Sequence, residues 1–232
     1  MLKFNNEYDK MIRQYTKQDG FCALFLFAIF IFLYGFVAIL DRFFQFDVNQ
    51  SIIIGNILNL TIILITILFV LIHKQKLDTI GIMKGNWKKS SIIGLIFAFF
   101  LFMFNFGIDY FIYGGAVKSI DEILWLMIYY LNVSLCEEIV FRGYIQTRIY
   151  GLIKNKIIAL VLVSLLFTFM HFPYRMIAYG MSLEILLFGN FFWVVQLLIM
   201  HVIWSLIYSK TNSLYGSIIS HWVSNLANNI KL

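Results

Sequence analysis

Residues 21–40 read FCALFLFAIFIFLYGFVAIL, twenty consecutive positions without a charged side chain. As a helix this run is about 30 Å long, the thickness of the hydrocarbon core of a bilayer. Lipid offers no partner to an open backbone N–H or C=O, so such a run must satisfy its own hydrogen bonds. It follows a long, highly charged N-terminal stretch and stops at Asp41–Arg42, with no small-x-small cleavage site. It is therefore expected to be a retained first span and not a removed signal segment.

Outward from this run the pattern repeats. Further apolar stretches fall at about 51–72, 90–113, 123–150, 157–172, 185–208 and 213–229. Hydrophobic residues make up 61% of the 232 residues and charged residues 13%, about half the charged share of a soluble domain. The expected fold is all-α, a polytopic transmembrane bundle of about seven to eight spans. The stretch 121–150 is long enough to hold a span plus a surface-lying turn. Residues 1–20 are expected to form a polar segment at the membrane surface, and residues 21–232 a single transmembrane domain. Cys22 and Cys136 both lie in apolar stretches and make no disulfide framework.

The net charge of +6 does not indicate nucleic acid, because the basic residues sit in short connections between apolar runs. Lys3, Lys10, Arg13 and Lys17 lie before the first run. Lys74, Lys76, Lys84, Lys88 and Lys89 fall in the 73–89 connection, and Arg148, Lys154 and Lys156 around the next basic one. Between these come connections holding Arg42, Lys118 or Arg175 alone. Rich and poor alternate, so the rich ones, the N-terminus included, are expected to face the cytoplasm in a multi-pass cell-membrane protein. The 209–212 connection, with Lys210 alone, is the weakest point of this alternation.

Ionisable residues inside spans are costly and are functional candidates for that reason. Three places carry them: Glu137, Glu138 and Arg142; His171; and His221 with Asn225. Glu138 and Arg142 are four apart and share a helix face, which suits a salt bridge. Glu137 points about 100° away and has no cation near it in sequence, which suits a general base. Glu137 and His171 are 34 residues apart with a turn near Lys154 midway between them. Two antiparallel helices joined there bring both to one depth, each about 25 Å from the turn. Pro173, the only proline, ends the helix just past His171. His221 and Asn225 share a face and can donate N–H groups to a developing oxyanion. Each set also has a plainer role: Glu138–Arg142 as a structural knot, His171 as an interfacial residue, His221 and Asn225 as interhelical glue.

Glu-Glu-x-x-x-Arg, then Phe-x-x-x-His, then His-x-x-x-Asn, in this order and each within a span, resembles the CAAX prenyl protease and bacteriocin-processing family of intramembrane endopeptidases. The stretch Thr211–Ser217 leading into His221 is similar to that family's approach to its last motif. The resemblance covers roughly residues 120–229. It implies that Glu137 activates a water with help from His171, that His221 and Asn225 form the oxyanion hole, and that Glu138 and Arg142 support the site. It also implies that no metal or other cofactor is needed. The donors Glu137, His171 and His221 leave zinc open as an alternative.

The implied activity is hydrolysis of a peptide bond in a membrane-associated peptide or protein. Bacterial members of the family are linked to bacteriocin self-immunity or to peptide processing, which favours a peptide over a prenylated protein. The expected partners are that substrate and the lipid bilayer. Two rivals remain: a non-catalytic immunity or regulatory scaffold with the same fold, and a small transporter using the same residues as a proton relay. His201 and Ser205 are also four apart in a span but fall outside the family pattern, which assigns them to packing. Cys136 has no neighbouring cation to activate a thiol, and His73 is expected to be solvated in its basic loop.

Overall fold

The structure, a computed structural model, describes residues 3–82 and 86–231. Lys84, one of the basic residues of the 73–89 connection, lies outside them. The chain is helical nearly throughout: α1 (Asn6–Arg13), α2 (Lys17–Phe44), α3 (Val48–Ile72), α4 (Trp87–Tyr113), α5 (Ile120–Ile149), α6 (Lys156–Phe169), α7 (Phe172–Ala178), α8 (Phe191–Thr211) and α9 (Tyr215–Asn229). Among the described residues the only β pairing is a single bridge between Val117 and Lys231. Helix starts lie a few residues ahead of the apolar runs because polar caps set them. Thr16 with Asp19, Asp47 with Gln50 and Ser119 with Glu122 each form a reciprocal cap, which satisfies amides that the first turn leaves open.

Among the described residues six segments are long and apolar enough to cross a membrane: α2, α3, α4, α5, α6 with α7, and α8. The stretch 213–229 forms α9 instead, a 15-residue helix of about 22 Å whose Gly216, Ser217, Ser220, His221 and Ser224 are buried. The distribution of side chains inverts that of a soluble protein. Phe21, Phe25 and Phe32 on α2 are 62, 62 and 70% exposed, whereas Glu138 and Arg142 are fully buried. Apolar atoms outside and charge inside is the arrangement lipid requires of a multi-pass membrane protein.

The connections gather at two ends. At one end the Asn5 amide donates to the Ser209 carbonyl (2.9 Å), Asn212 donates to Glu7 (3.3 Å), and Lys156 pairs with Asp9 (2.5 Å). Arg148 reaches Gln75 and Thr79 there as well. The N-terminal tail, the α3–α4 loop, the α5–α6 turn and the α8–α9 turn thus share one end, which settles the side of the Lys210 connection within the bundle. At the other end Tyr174 donates to Asp41 (2.6 Å), Arg42 to the Ile177 carbonyl (3.0 Å), and Lys231 pairs with Asp109.

In the N-terminal segment Tyr8, Met11 and Ile12 on α1 are buried, and Tyr8 packs edge-on against Tyr208. Two local expectations change. Arg148, counted above with a basic connection, is fully buried. His73 is half-buried: it donates Nδ1–H to the Phe69 carbonyl (2.7 Å), and its Nε2 accepts from the Cys22 thiol (3.2 Å).

Candidate active site

Both candidate carboxylates stand on α5, at the point where its winding changes. The helix is regular from Ile120 to Glu137 and then closes i→i+5 hydrogen bonds over Glu138–Gln146. A wider turn separates successive side chains by less than the 100° of an α-helix, and such segments recur at functional sites. The change falls between the two glutamates, and both reach one imidazole. Glu138 Oε1 accepts His221 Nδ1–H at 2.8 Å, and Glu137 Oε2 lies 3.7 Å from His221 Nε2.

Glu138 Oε1 also lies 3.1 Å from Arg142 Nη1, the four-residue pair read from the sequence. The distance is that of an ion pair, yet no guanidinium nitrogen of Arg142 makes a directed hydrogen bond among the described residues. The cation instead covers two rings, 4.3 Å above Phe167 and 5.2 Å from Trp204. In a desolvated setting these contacts stabilise it through the ring quadrupoles. Because Arg142 keeps Glu138 an acceptor, the His221 ring must donate from Nδ1. Its Nε2 is then the nitrogen that faces Glu137.

Helix α9 is held in place by contacts between small residues. A Cβ on Gly94 of α4 would lie 2.4 Å from the Gly216 carbonyl oxygen, and one on Gly216 would lie 2.3 Å from the Ser90 carbonyl oxygen. Backbones approach this closely only where glycines face each other, the packing that membrane helices favour. Ser90 Oγ accepts the Gly216 amide (2.9 Å) and donates to the Ser213 carbonyl (2.9 Å). This fixes the depth of His221, whose ring stacks on Trp204 at 3.9 Å and 19°.

His171 sits where α6 gives way to α7, whose first turn contains Pro173, as the lone proline implied. It donates Nδ1–H to the Phe167 carbonyl (2.9 Å), leaving Nε2 as the ring's acceptor. Its ring meets Phe167 at 5.1 Å and Trp193 at 5.9 Å. No hydrogen bond or ion pair joins it to Glu137 among the described residues; the imidazole nearest that carboxylate belongs to His221. A turn near Lys154 does join the two helices, but matching depth does not set how each helix is rotated about its axis. Asn225 is half-buried one turn after His221, and its side chain makes no hydrogen bond among the described residues.

Sequence reasoning missed Trp204 and undervalued Phe167. Phe167 is ringed by Arg142, His171, His201 and His221, the last two at 4.9 and 6.4 Å. A signal for Trp204 existed, since membrane tryptophans concentrate near the interfaces and this one stands about two turns inside its span. His201, set aside above, is fully buried, and neither ring nitrogen is hydrogen-bonded among the described residues. Glu137 Oε2, Glu138 Oε2 and the Arg142 N–H groups likewise lack a directed hydrogen bond among the described residues. Among the described residues no group of three or more His, Cys, Asp or Glu side chains is arranged to hold a metal ion.

The model of one protein family, described as Type II CAAX prenyl endopeptidase Rce1-like, matches residues 119–227. No curated protein and no solved structure matches the chain. The matched stretch begins at the Ser119 cap of α5 and takes in Glu137–Arg142, His171 and His221–Asn225 in the order read from the sequence. Over residues 119–227 the chain is therefore similar to the Rce1-like family of type II CAAX prenyl endopeptidases, a family of membrane proteases.

Proposed function

We propose that this protein is an intramembrane endopeptidase that hydrolyses a peptide bond of a membrane-associated peptide by water attack, with Glu137 as the base. The observation that carries this reading is the reach of two adjacent carboxylates to the two nitrogens of one imidazole, at 2.8 and 3.7 Å, inside a nearly closed site. Glu138, held by Arg142, orients His221 through Nδ1, as the carboxylate of a Ser-His-Asp triad orients its histidine. In its imidazolium form, held between the two carboxylates, His221 also carries a proton at Nε2, beside Glu137, and donates it as a hydrogen bond to the oxyanion formed as water attacks the carbonyl. Glu137 takes the proton from that water and delivers it to the leaving amine. His171, with Nε2 as its acceptor, assists in holding the water, and Asn225 adds a second donor to the oxyanion. Burial makes each of these charge interactions stronger than it would be in water.

The test is Glu137→Gln, which keeps size and hydrogen bonding but cannot take a proton. Cleavage per folded molecule should fall by about 10² to 10⁴, the usual worth of a general base, with the melting temperature unchanged. Both an unmodified peptide precursor and a prenylated CAAX peptide serve as substrates, and the unmodified one is expected to be cleaved faster. Full activity in the variant would remove Glu137 as the base. The same assay addresses cofactors: cleavage should survive a strong chelator, and loss restored by added zinc would make the site a metallopeptidase. For orientation, we place the end bearing the N-terminus and the Lys74–Lys76 loop in the cytoplasm. A cysteine introduced at Lys118 should label from outside with an impermeant reagent and one at Lys76 should not; the reverse pattern overturns this.

A further inference from the structure

A cavity of about 810 Å³, with a charged rim and an apolar wall, lies at the basic end of the bundle, away from the candidate active site. It is formed where α1 crosses the α5–α6 turn. Lys3, Arg13, Lys154 and Lys156 line it with Asp9, four cations against one carboxylate. Lys156 answers Asp9 at 2.5 Å and covers the Phe4 ring at 4.3 Å, so it is already engaged. Arg13 is 79% exposed and only 3.9 Å from the same carboxylate, and Lys154 makes one long contact, 3.4 Å, to the Tyr15 carbonyl. The cavity thus keeps a positive surplus that no protein group neutralises.

Two further observations point to what fills it. Tyr150, 2% exposed, lines the cavity, and its buried hydroxyl has no hydrogen-bond partner among the described residues. An unmade hydrogen bond at a buried hydroxyl is costly, and an oxygen of a bound ligand or a water satisfies it. Ile157, also on the cavity wall, begins a row on α6 that continues through Val161 and Leu165, exposed by 56, 51 and 53%. These positions are four residues apart and share one helix face. A positive cavity at the end of the spans therefore opens onto an apolar track running along the membrane.

We propose that this cavity binds the phosphate headgroup of an anionic phospholipid, with an acyl chain lying along Ile157, Val161 and Leu165. The free phosphate chemistry alone would suit a soluble anion; the continuous apolar row favours a lipid. Binding here ties α1 to the start of α6, the element that leads to His171. The site does not depend on the peptidase reading and stands or falls separately from it.

The experiment uses the full chain in detergent, offered dioleoylphosphatidylglycerol and dioleoylphosphatidylcholine in equal amounts, with retained lipid counted by native mass spectrometry. Phosphatidylglycerol should be retained in preference and should raise the melting temperature, both effects weakening with added salt. Arg13→Gln with Lys154→Gln should lower the preference by about fivefold for each charge removed. The melting temperature in phosphatidylcholine should stay the same. Lys3→Gln, at an exposed position, is the second variant and should give a single such step. Equal retention of the two lipids, or a preference unchanged in both variants, would overturn the proposal. So would stabilisation by glycerol phosphate alone as large as that by the lipid.

Discussion

Helix α5 carries two arginines six residues apart, both fully buried, and the protein treats them in opposite ways. Arg148 is held chiefly by hydrogen bonds. It donates to neutral oxygens on three segments: Gln75 Oε1 at 2.6 Å, Thr79 Oγ1 at 2.8 Å and the Gly143 carbonyl at 2.9 Å. The rings of Tyr15 and Tyr144 flank its guanidinium at 4.6 and 4.4 Å. Gln75 passes the network on to Asp19 at 2.7 Å. Arg142 has a carboxylate at 3.1 Å but leaves its N–H groups without directed partners among the described residues, with phenyl and indole faces around it. A satisfied buried cation fixes structure, whereas an under-satisfied one beside equally under-satisfied carboxylates has been kept available for something else. The first arginine closes the basic end of the bundle, and the second holds a charge beside the two glutamates and His221.

That contrast can be broken most directly at Glu138. Glu138→Gln removes the carboxylate that pairs with Arg142 at 3.1 Å, and breaking a buried pair costs about 3–5 kcal/mol. Melting temperature and cleavage rate per folded molecule should therefore fall together. A stable but inactive Glu138→Gln, paired with a fully active Glu137→Gln, would exchange the roles of the two glutamates. Arg148→Met should behave differently. Its lost charge-assisted hydrogen bonds are worth about 1.5–3 kcal/mol each, offset in part by the cost of burying the cation, so stability should drop by about 3 kcal/mol. Cleavage per molecule that remains folded should not change. If the rate falls while the melting temperature holds, Arg148 belongs to the site and the comparison fails. The smallest effect is expected from Thr79→Val, which trims one acceptor from Arg148 at nearly constant volume. Unfolding in detergent should register a loss of about 1 kcal/mol with activity intact.

The bundle itself was largely legible. An apolar run of twenty residues has one common solution in lipid, and the Glu138–Arg142 pair follows from local spacing. The end of α6 beyond His171 follows from a proline that cannot donate. The alternation of basic and poor connections anticipated which loops meet, including the one with Lys210 alone. Its reading of Arg148 as a loop cation failed because a charge near a span end can turn inward where hydrogen-bonding oxygens from other segments await it. The seventh apolar stretch was read as a span, yet α9 is a short helix packed against α5 and, through glycine contacts that a hydropathy reading does not register, against α4.

The sequence by itself determined the helical class, the membrane setting, the order of the three motifs and the identity of the residues that carry them. These follow from composition, from spacing along one chain, and from the cost of placing charge in lipid. Tertiary structure alone decided that His221 and not His171 stands against the two glutamates, that Trp204 and Phe167 enclose the site, and that Arg148 is a buried tie. Each of these depends on how helices distant in sequence rotate and settle against one another. That is set by the sum of many packing contacts, such as Gly94 on Gly216, and no local pattern encodes it. The change of winding at Glu138 belongs to the same class. It brings neighbouring carboxylates to one imidazole, and it exists only because the surrounding helices hold it there.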